Sequence, residues 1–559
     1  MTRLSFGLAA LLTFTICALG WTGCGDDGDP GVDAAVDASQ DASTIPDPDA
    51  GSDDGSVDAG EDGGVDAGED AAVDPDGGGN LQTQPSAPAQ ILQSGTNGLL
   101  LRGVVLTPTG VLDPGEVLVE GDSITCVAAD CTAAPGATQA TWIDTNGTIS
   151  PGLIDCHNHM SYNFLPEWVP NPPQYFNNRY EWANDPAYEA HIEPYSAHRS
   201  ANTHFCPASK WAELRSLVHG TTTMQGQPSA SGSCINWAVR NANRYHGLGY
   251  DHMRGTISSP RDLTDADAQS LVDSFTAPTD PTTRYHVHMC EGVTGDNIDL
   301  EFDSFAGRDP RANRHAGTSL LAYDSAILIH SVILSATQLQ EVVAEDSMIV
   351  WSPSSNFALY GPGVTAPIQQ ILQLGIVTGI GPDWTVSGED EMLAELRVCL
   401  EHGIQENIPE LTPQKLWEMA TMDGAFVLGL QDHIGRLEVG YRADISVFGR
   451  TGQNAYMTVI DSRADDVRLV LIDGVGYLGD SALEATTARN TYCEQLDACG
   501  TMKYICAQED SVTAGDRLDE TMADIHQQLY DMLEGTGVAP FVEIYNRGNE
   551  LLELVDCSI

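Results

Sequence analysis

The chain has 559 residues, 80 of them acidic and 25 basic, for a formal net charge of −55. Binding a nucleic-acid backbone needs clustered Lys and Arg, so this balance excludes nucleic acid as a partner. An apolar fraction of 42% is enough for a sizeable core, and the length leaves room for a large catalytic domain with further modules.

Residues 1–24, MTRLSFGLAALLTFTICALGWTGC, run from Arg3 through an apolar stretch to small residues. That order predicts an export signal rather than a spanning helix. Its end, Trp21-Thr22-Gly23-Cys24, resembles a bacterial lipoprotein box. The resemblance implies a lipid-modified Cys24 and a chain anchored to the cell envelope, with the outer membrane the expected location. From Gly25 to Gly79 the chain contains no Lys, Arg or aromatic residue. Such a run cannot bury enough apolar surface to offset chain entropy, so residues 25–95 are expected to form an acidic, disordered linker.

Residues 96–150 alternate Val and Ile with polar residues between turns, the pattern of a small β-sandwich. From residue 151 to 435, short apolar runs alternate with helical stretches such as SATQLQEVVAE and EMLAELRVCLEHG. That alternation predicts parallel strands with helical crossovers, and the length suits an α/β fold, a (β/α)8 barrel. Seven strands are visible; the eighth is expected between residues 258 and 284. Residues 436–480 return to strand patterning and are expected to complete the sandwich, split by the barrel. Residues 481–559 form a cysteine-containing helical extension, with Leu518, Met522, Ile525, Leu529 and Met532 on one helix face.

The 13 cysteines fit an oxidising compartment. Cys126 and Cys131 are close enough to be bridged. Cys493, Cys499, Cys506 and Cys557 cluster near the end, with their connectivity open. With Cys17 and Cys24 set aside, an odd number remains, so at least one thiol is unpaired.

Barrel enzymes hold their chemistry where strands end. His157 and His159 close the first strand, in GLIDCHNHM. His288 and Glu291 follow in RYHVHMCEG, His330 in AILIHS and Asp383 in GIGPDW. Three imidazoles and a carboxylate suit one divalent ion, zinc first and ferrous iron as the alternative. His286 shares a strand face with His288 one step deeper and is expected to be a buried, hydrogen-bonded histidine. Cys290 is either a soft ligand or a packed thiol.

Over residues 97–480 the sequence resembles the metal-dependent amidohydrolase superfamily. The resemblance rests on PGLIDCHNH, HMCE, LIHSV, SPSSN, GPDWTVSGEDEMLAELR and the exit pattern LWEMATMDGAFVLGL followed by IGRLEVGYRADISVF. Its binuclear members bridge their ions with a lysine, but Lys210, Lys415 and Lys503 all lie outside the stretch that would supply it. The likeness is therefore to the mononuclear, deaminase- and chlorohydrolase-like branch. It implies His157, His159, His288 and Asp383 as ligands, with Asp383 also taking a proton from water. It implies that Glu291 carries protons and that His330 orients the water or polarises the substrate. Asn356, in SPSSN, is implied to support the site.

The long loop after the first strand carries Trp168, Tyr175, Tyr180 and Trp182 and serves either to contact a ring-bearing small molecule or to pack the loop. The function expected is hydrolysis of a C–N bond of an amine-substituted ring or cyclic amide. A linear amide hydrolase or peptidase of the same superfamily, or a non-catalytic surface binding protein on the same fold, are the alternatives.

Overall fold

Strands buried on both faces read as continuous apolar runs, and the central strands follow that rule. The structure, a computed structural model, describes residues 81–170, 172–192, 205–226, 238–243, 247–248, 253–256, 260–279, 281–323, 325–389, 391–508, 520–535, 551–555 and 557. The export signal, Cys24 and the acidic run to residue 79 lie outside the described residues.

Among the described residues, two parallel sheets carry the candidate residues. One joins Leu153–Asp155, Thr221–Met224 and Arg240–Asn241 in chain order. The other joins Met253–Thr256, Arg284–Met289, Ala326–His330, Met348–Trp351 and Thr378–Ile380, also in chain order. The end of the first strand meets the end of the last through a parallel Asn158–Asp383 bridge. There the His159 amide donates to the Asp383 carbonyl at 2.8 Å and the Asp383 amide to the His157 carbonyl at 3.1 Å. This seam brings residues more than two hundred positions apart into one site. The helix Ala336–Ala344, started by a Ser335–Gln338 capping box, crosses from Ala326–His330 to Met348–Trp351, and the helix Met392–Gln405 follows the last strand.

A strand is expected between residues 258 and 284, but among the described residues of that stretch none precedes Arg284. That stretch holds the helix Asp265–Phe275, and the missing strand is Arg240–Asn241. Two polar residues give no apolar run to read. Both are buried because Arg240 is clamped by Asp444, with Nε–Oδ2 at 2.6 Å, and by Asp473.

Residues 99–151 and 445–480 form one sheet, as the split predicts, with Ile445 paired to Pro151 and Phe448 to Thr148. It extends to ten strands because two segments expected elsewhere join it. Residues 90–93, placed in the disordered linker, pair with its Thr141–Pro151 strand, while 83–85 pair with Arg450–Gly452 in a separate two-stranded sheet. Backbone hydrogen bonds along a sheet edge sustain these strands without an apolar pattern. The extension likewise opens with a hairpin, Glu494–Ala498 and Thr501–Ile505, before its helix Met522–Gly535. Ile525 and Leu529 are buried in that helix, and Leu518 lies outside the described residues.

Disulfides join Cys126–Cys131, Cys493–Cys506 and Cys499–Cys557. Cys156, Cys290 and Cys399 are free and buried. The last bridge ties Cys557 to the turn of the hairpin formed by Glu494–Ala498 and Thr501–Ile505. The Trp211 indole donates to the Leu552 carbonyl at 2.8 Å, and the Leu552 amide donates to Phe164, within the loop after the first strand, at 3.1 Å. Among the described residues no helix is long and apolar enough to cross a membrane.

Candidate metal centre

His157, His159, His288 and Asp383 converge so that one ligand atom from each lies within 4.8 Å of the others. Asp383 Oδ1 stands 3.0 Å from His157 Nε2 and 3.2 Å from His159 Nε2. Both His157 Nε2 and Asp383 Oδ1 are fully buried and make no hydrogen bond. Orphaned buried atoms are costly unless a further partner satisfies them. A cation among three imidazoles and a carboxylate does so, and this donor set fits a single divalent ion, zinc above others.

The surroundings aim these ligands. His157 Nδ1 faces Gln225 Oε1 at 3.3 Å, which directs the opposite nitrogen inward. Ser355 Oγ donates to Asp383 Oδ2 at 2.8 Å and leaves Oδ1 for the centre. Burial, reinforced by neighbouring imidazoles, holds His288 well below the ordinary histidine range, so it is neutral and can offer a lone pair. Asp383 has φ 75°, His330 φ 64° and Cys290 φ 52°. These left-handed residues, each costing about 1–3 kcal/mol, sit where the chain turns off the strand ends.

Glu291 and His330 lie beside the four ligands, with His330 Nε2 3.6 Å from Glu291 Oε2. Together with His288 they form a second convergent group. Burial pushes Glu291 up to about 8, against the pull of the Arg179 charge. Tyr360 donates to Glu291 Oε1 at 2.7 Å, and the Trp182 indole donates to the Tyr360 oxygen at 2.9 Å. An indole can only donate, so the tyrosine proton is free for the carboxylate. Gly292 is needed nearby: with φ 141°, a Cβ there would lie 2.5 Å from the Asn177 oxygen. This close approach zips the loop to Glu291, whose carbonyl accepts from the Arg179 amide at 3.1 Å.

Tyr360→Phe should lower kcat about 10- to 100-fold with ion content unchanged, the worth of one hydrogen bond to a charged group. Steady-state kinetics with elemental analysis checks this.

The loop aromatics divide. Trp182 sits 6.1 Å from Trp384 between ring centroids, and Trp384 sits 5.2 Å from His159. Trp168 packs on Phe176 and Tyr188. Tyr180 bonds Glu301 under the Arg261 guanidinium, and Tyr175 is 61% exposed. Only Trp182 of the four joins the rings beside the ligands.

His286 corrects an expectation. It is fully buried, but neither ring nitrogen makes a hydrogen bond. Burial holds it far below the ordinary histidine range and therefore neutral, one layer beneath His288. Cys290 is packed into the main apolar core and belongs to neither convergent group. Tyr360, Trp384, Gln225 and Ser355 were not singled out from sequence. Tyr360 had one available signal, standing one helical turn after Asn356.

Residues 284–475 match the model of the Amidohydrolase family. The matched segment supplies His288, Glu291, His330 and Asp383. A 5-methylthioadenosine/S-adenosylhomocysteine deaminase of Desulforamulus reducens is 25% identical over 422 residues, covering 68% of this chain and 93% of the relative. A 5'-deoxyadenosine deaminase of Methanobrevibacter smithii is 30% identical over 191 residues, 34% of this chain and 42% of that protein. Among solved structures, an atrazine chlorohydrolase of Arthrobacter aurescens complexed with zinc shares the fold, with a TM-score of 0.51. It has 20% identity and covers 68% of this chain and 95% of its own. Guanine deaminase of E. coli also has a TM-score of 0.51, at 16% identity, covering 68% of this chain and 98% of its own.

Proposed function

We propose that this metal-dependent hydrolase of carbon–nitrogen bonds removes the amine from a nitrogen-containing ring. The observation that carries the reading is the Glu291–His330 pair set against the four-ligand group. Support for a ring substrate comes from the Trp182–Trp384 wall, since flat rings gain from offset or edge contacts with aromatic side chains. The relative named for deaminating 5-methylthioadenosine and S-adenosylhomocysteine points to the same class. We further propose that the two parallel sheets make up a (β/α)8 barrel.

A bound divalent ion supplies a water made acidic enough to ionise near neutral pH. Asp383 takes a proton from the attacking water, with its other oxygen held by Ser355. Glu291 delivers a proton to the departing amine. Its buried carboxyl sits where it can both give and take a proton near neutrality. A C–O bond forms, the C–N bond breaks, and ammonia leaves. His330 orients the water from the side opposite its own buried support.

Ammonia release from a panel of amino-substituted purines, pyrimidines and triazines tests the reading. Release of ammonia from at least one, dependent on the bound ion, is the expected result. Amino-acid release from dipeptides with no ammonia from any ring would overturn it. Elemental analysis after dialysis should give about one divalent ion per chain. All three lysines are engaged away from the centre: Lys210 with Glu520, Lys415 with Asp423 and Lys503 with Asp480. A reproducible value near two would place a second ion among His288, Glu291 and His330.

We also propose that the protein is exported and lipid-anchored through Cys24, in the outer membrane. The disulfides outside the parallel sheets support an oxidising compartment. Cell fractionation with mass spectrometry of the native protein should find a lipid-modified Cys24 as the first residue. A soluble mature protein with Cys24 unmodified or absent would refute the anchor.

A further inference from the structure

Behind His330, on the side away from the ligands, a chain of three side chains ends on its other ring nitrogen. The Trp351 indole nitrogen lies 2.8 Å from Thr365 Oγ1. Thr365 Oγ1 lies 3.2 Å from Asn356 Oδ1. Asn356 Nδ2 lies 3.1 Å from His330 Nδ1. Trp351, Asn356 and His330 are fully buried, and Thr365 is half-buried.

The polarity of this chain is set at its far end. An indole N–H can only donate, so the threonine oxygen accepts from Trp351. The threonine hydroxyl proton then has an acceptor in Asn356 Oδ1. That fixes the amide orientation, which otherwise follows only from the surrounding hydrogen bonds. The amide nitrogen faces His330 Nδ1, which must accept. In the reverse orientation the threonine oxygen would accept twice, and its own proton would face no acceptor among the described residues.

We propose that Trp351, Thr365 and Asn356 act as a positioning relay that holds His330 as its Nε2–H tautomer, so that it presents a donor to the reacting water and to Glu291. His330 Nε2 has no hydrogen-bond partner of its own and stands 3.6 Å from Glu291 Oε2. The opposite tautomer would present a lone pair there and compete for the ion instead of orienting the water. The relay thus separates His330 from the three ligand imidazoles: all four rings crowd together, but only His330 offers hydrogen. This deepens the hydrolase reading and rests on it for the kinetic arm alone.

The test uses full-length, zinc-loaded protein with histidine-selective 15N labelling, His330 being assigned by comparison with His330→Gln. The expected spectrum shows His330 protonated at Nε2 and bare at Nδ1. A bare Nε2 in the wild-type protein overturns the relay whatever the substrate proves to be. In Thr365→Val the His330 signals should shift or split as the amide gains a second orientation, and Thr365→Ser should restore them. With a substrate from the ammonia screen, Thr365→Val should lose about tenfold in kcat with KM within about twofold of wild type, and Thr365→Ser should recover it. Ion content stays the same throughout. Unchanged His330 signals in Thr365→Val would equally overturn the relay. If no ring substrate releases ammonia, the deamination reading fails while the tautomer result still stands or falls on the spectrum.

Discussion

Glu291→Gln should reduce turnover by about 10²–10⁴ while the protein retains its ion, the range that general acid–base help supplies. Glutamine keeps the shape of glutamate and can still accept from Tyr360, whose hydroxyl lies 2.7 Å from Oε1. It cannot take up and return a proton. Glu291 is not among the three residues whose ligand atoms converge with Asp383, so losing its charge leaves that set complete. The measurement is kcat on a substrate from the ammonia screen, with elemental analysis of the same preparation. Near-wild-type turnover would mean that Glu291 is not the proton carrier, leaving Asp383 to serve alone.

Asp383→Asn should fail on both counts, with the ion lost at dialysis and turnover lost with it. Asp383 is the one carboxylate among the four ligands, and its Oδ1 is the atom that faces both His157 and His159. An amide would bring either a neutral oxygen or an N–H into that position. Ion affinity should fall by more than the roughly 10–100-fold typical of changes one layer out. Ser355→Ala supplies that comparison, because Ser355 only holds Oδ2. Competition against a chelator, read for the wild type and both variants, ranks them. An asparagine variant that binds zinc as tightly as the serine variant would remove Asp383 from the ligand set.

The sequence made some of this legible and hid the rest for physical reasons. His157, His159, His288 and Asp383 stood out because strand ends at the close of apolar runs are visible, and polar residues there are conspicuous. The strand Arg240–Asn241 was invisible because it is stabilised by ion pairs rather than by apolar burial. The strand at 83–85 owes its order to Arg450–Gly452, hundreds of residues away, while 90–93 and the hairpin at 494–505 add to the nearer strands Thr141–Pro151 and Val475–Asp480. Tyr360 and Thr365 reach the centre only through other side chains, so no spacing rule places them there. His286 was expected to be hydrogen-bonded because burial of a polar ring normally requires it. The packing beneath the centre leaves both its nitrogens without a partner.

Every side chain assigned to chemistry lies at or before residue 383, yet Leu552 braces, at Phe164, the loop that carries Trp182 toward the site, and Cys557 ties that segment to Cys499. A chain synthesised in order therefore holds all these groups before the segment that backs their enclosing loop. The backing of that loop comes later in the chain, with Leu552. A protease that removed Leu552 would leave the ligands in place and take away the backing of the loop beside them.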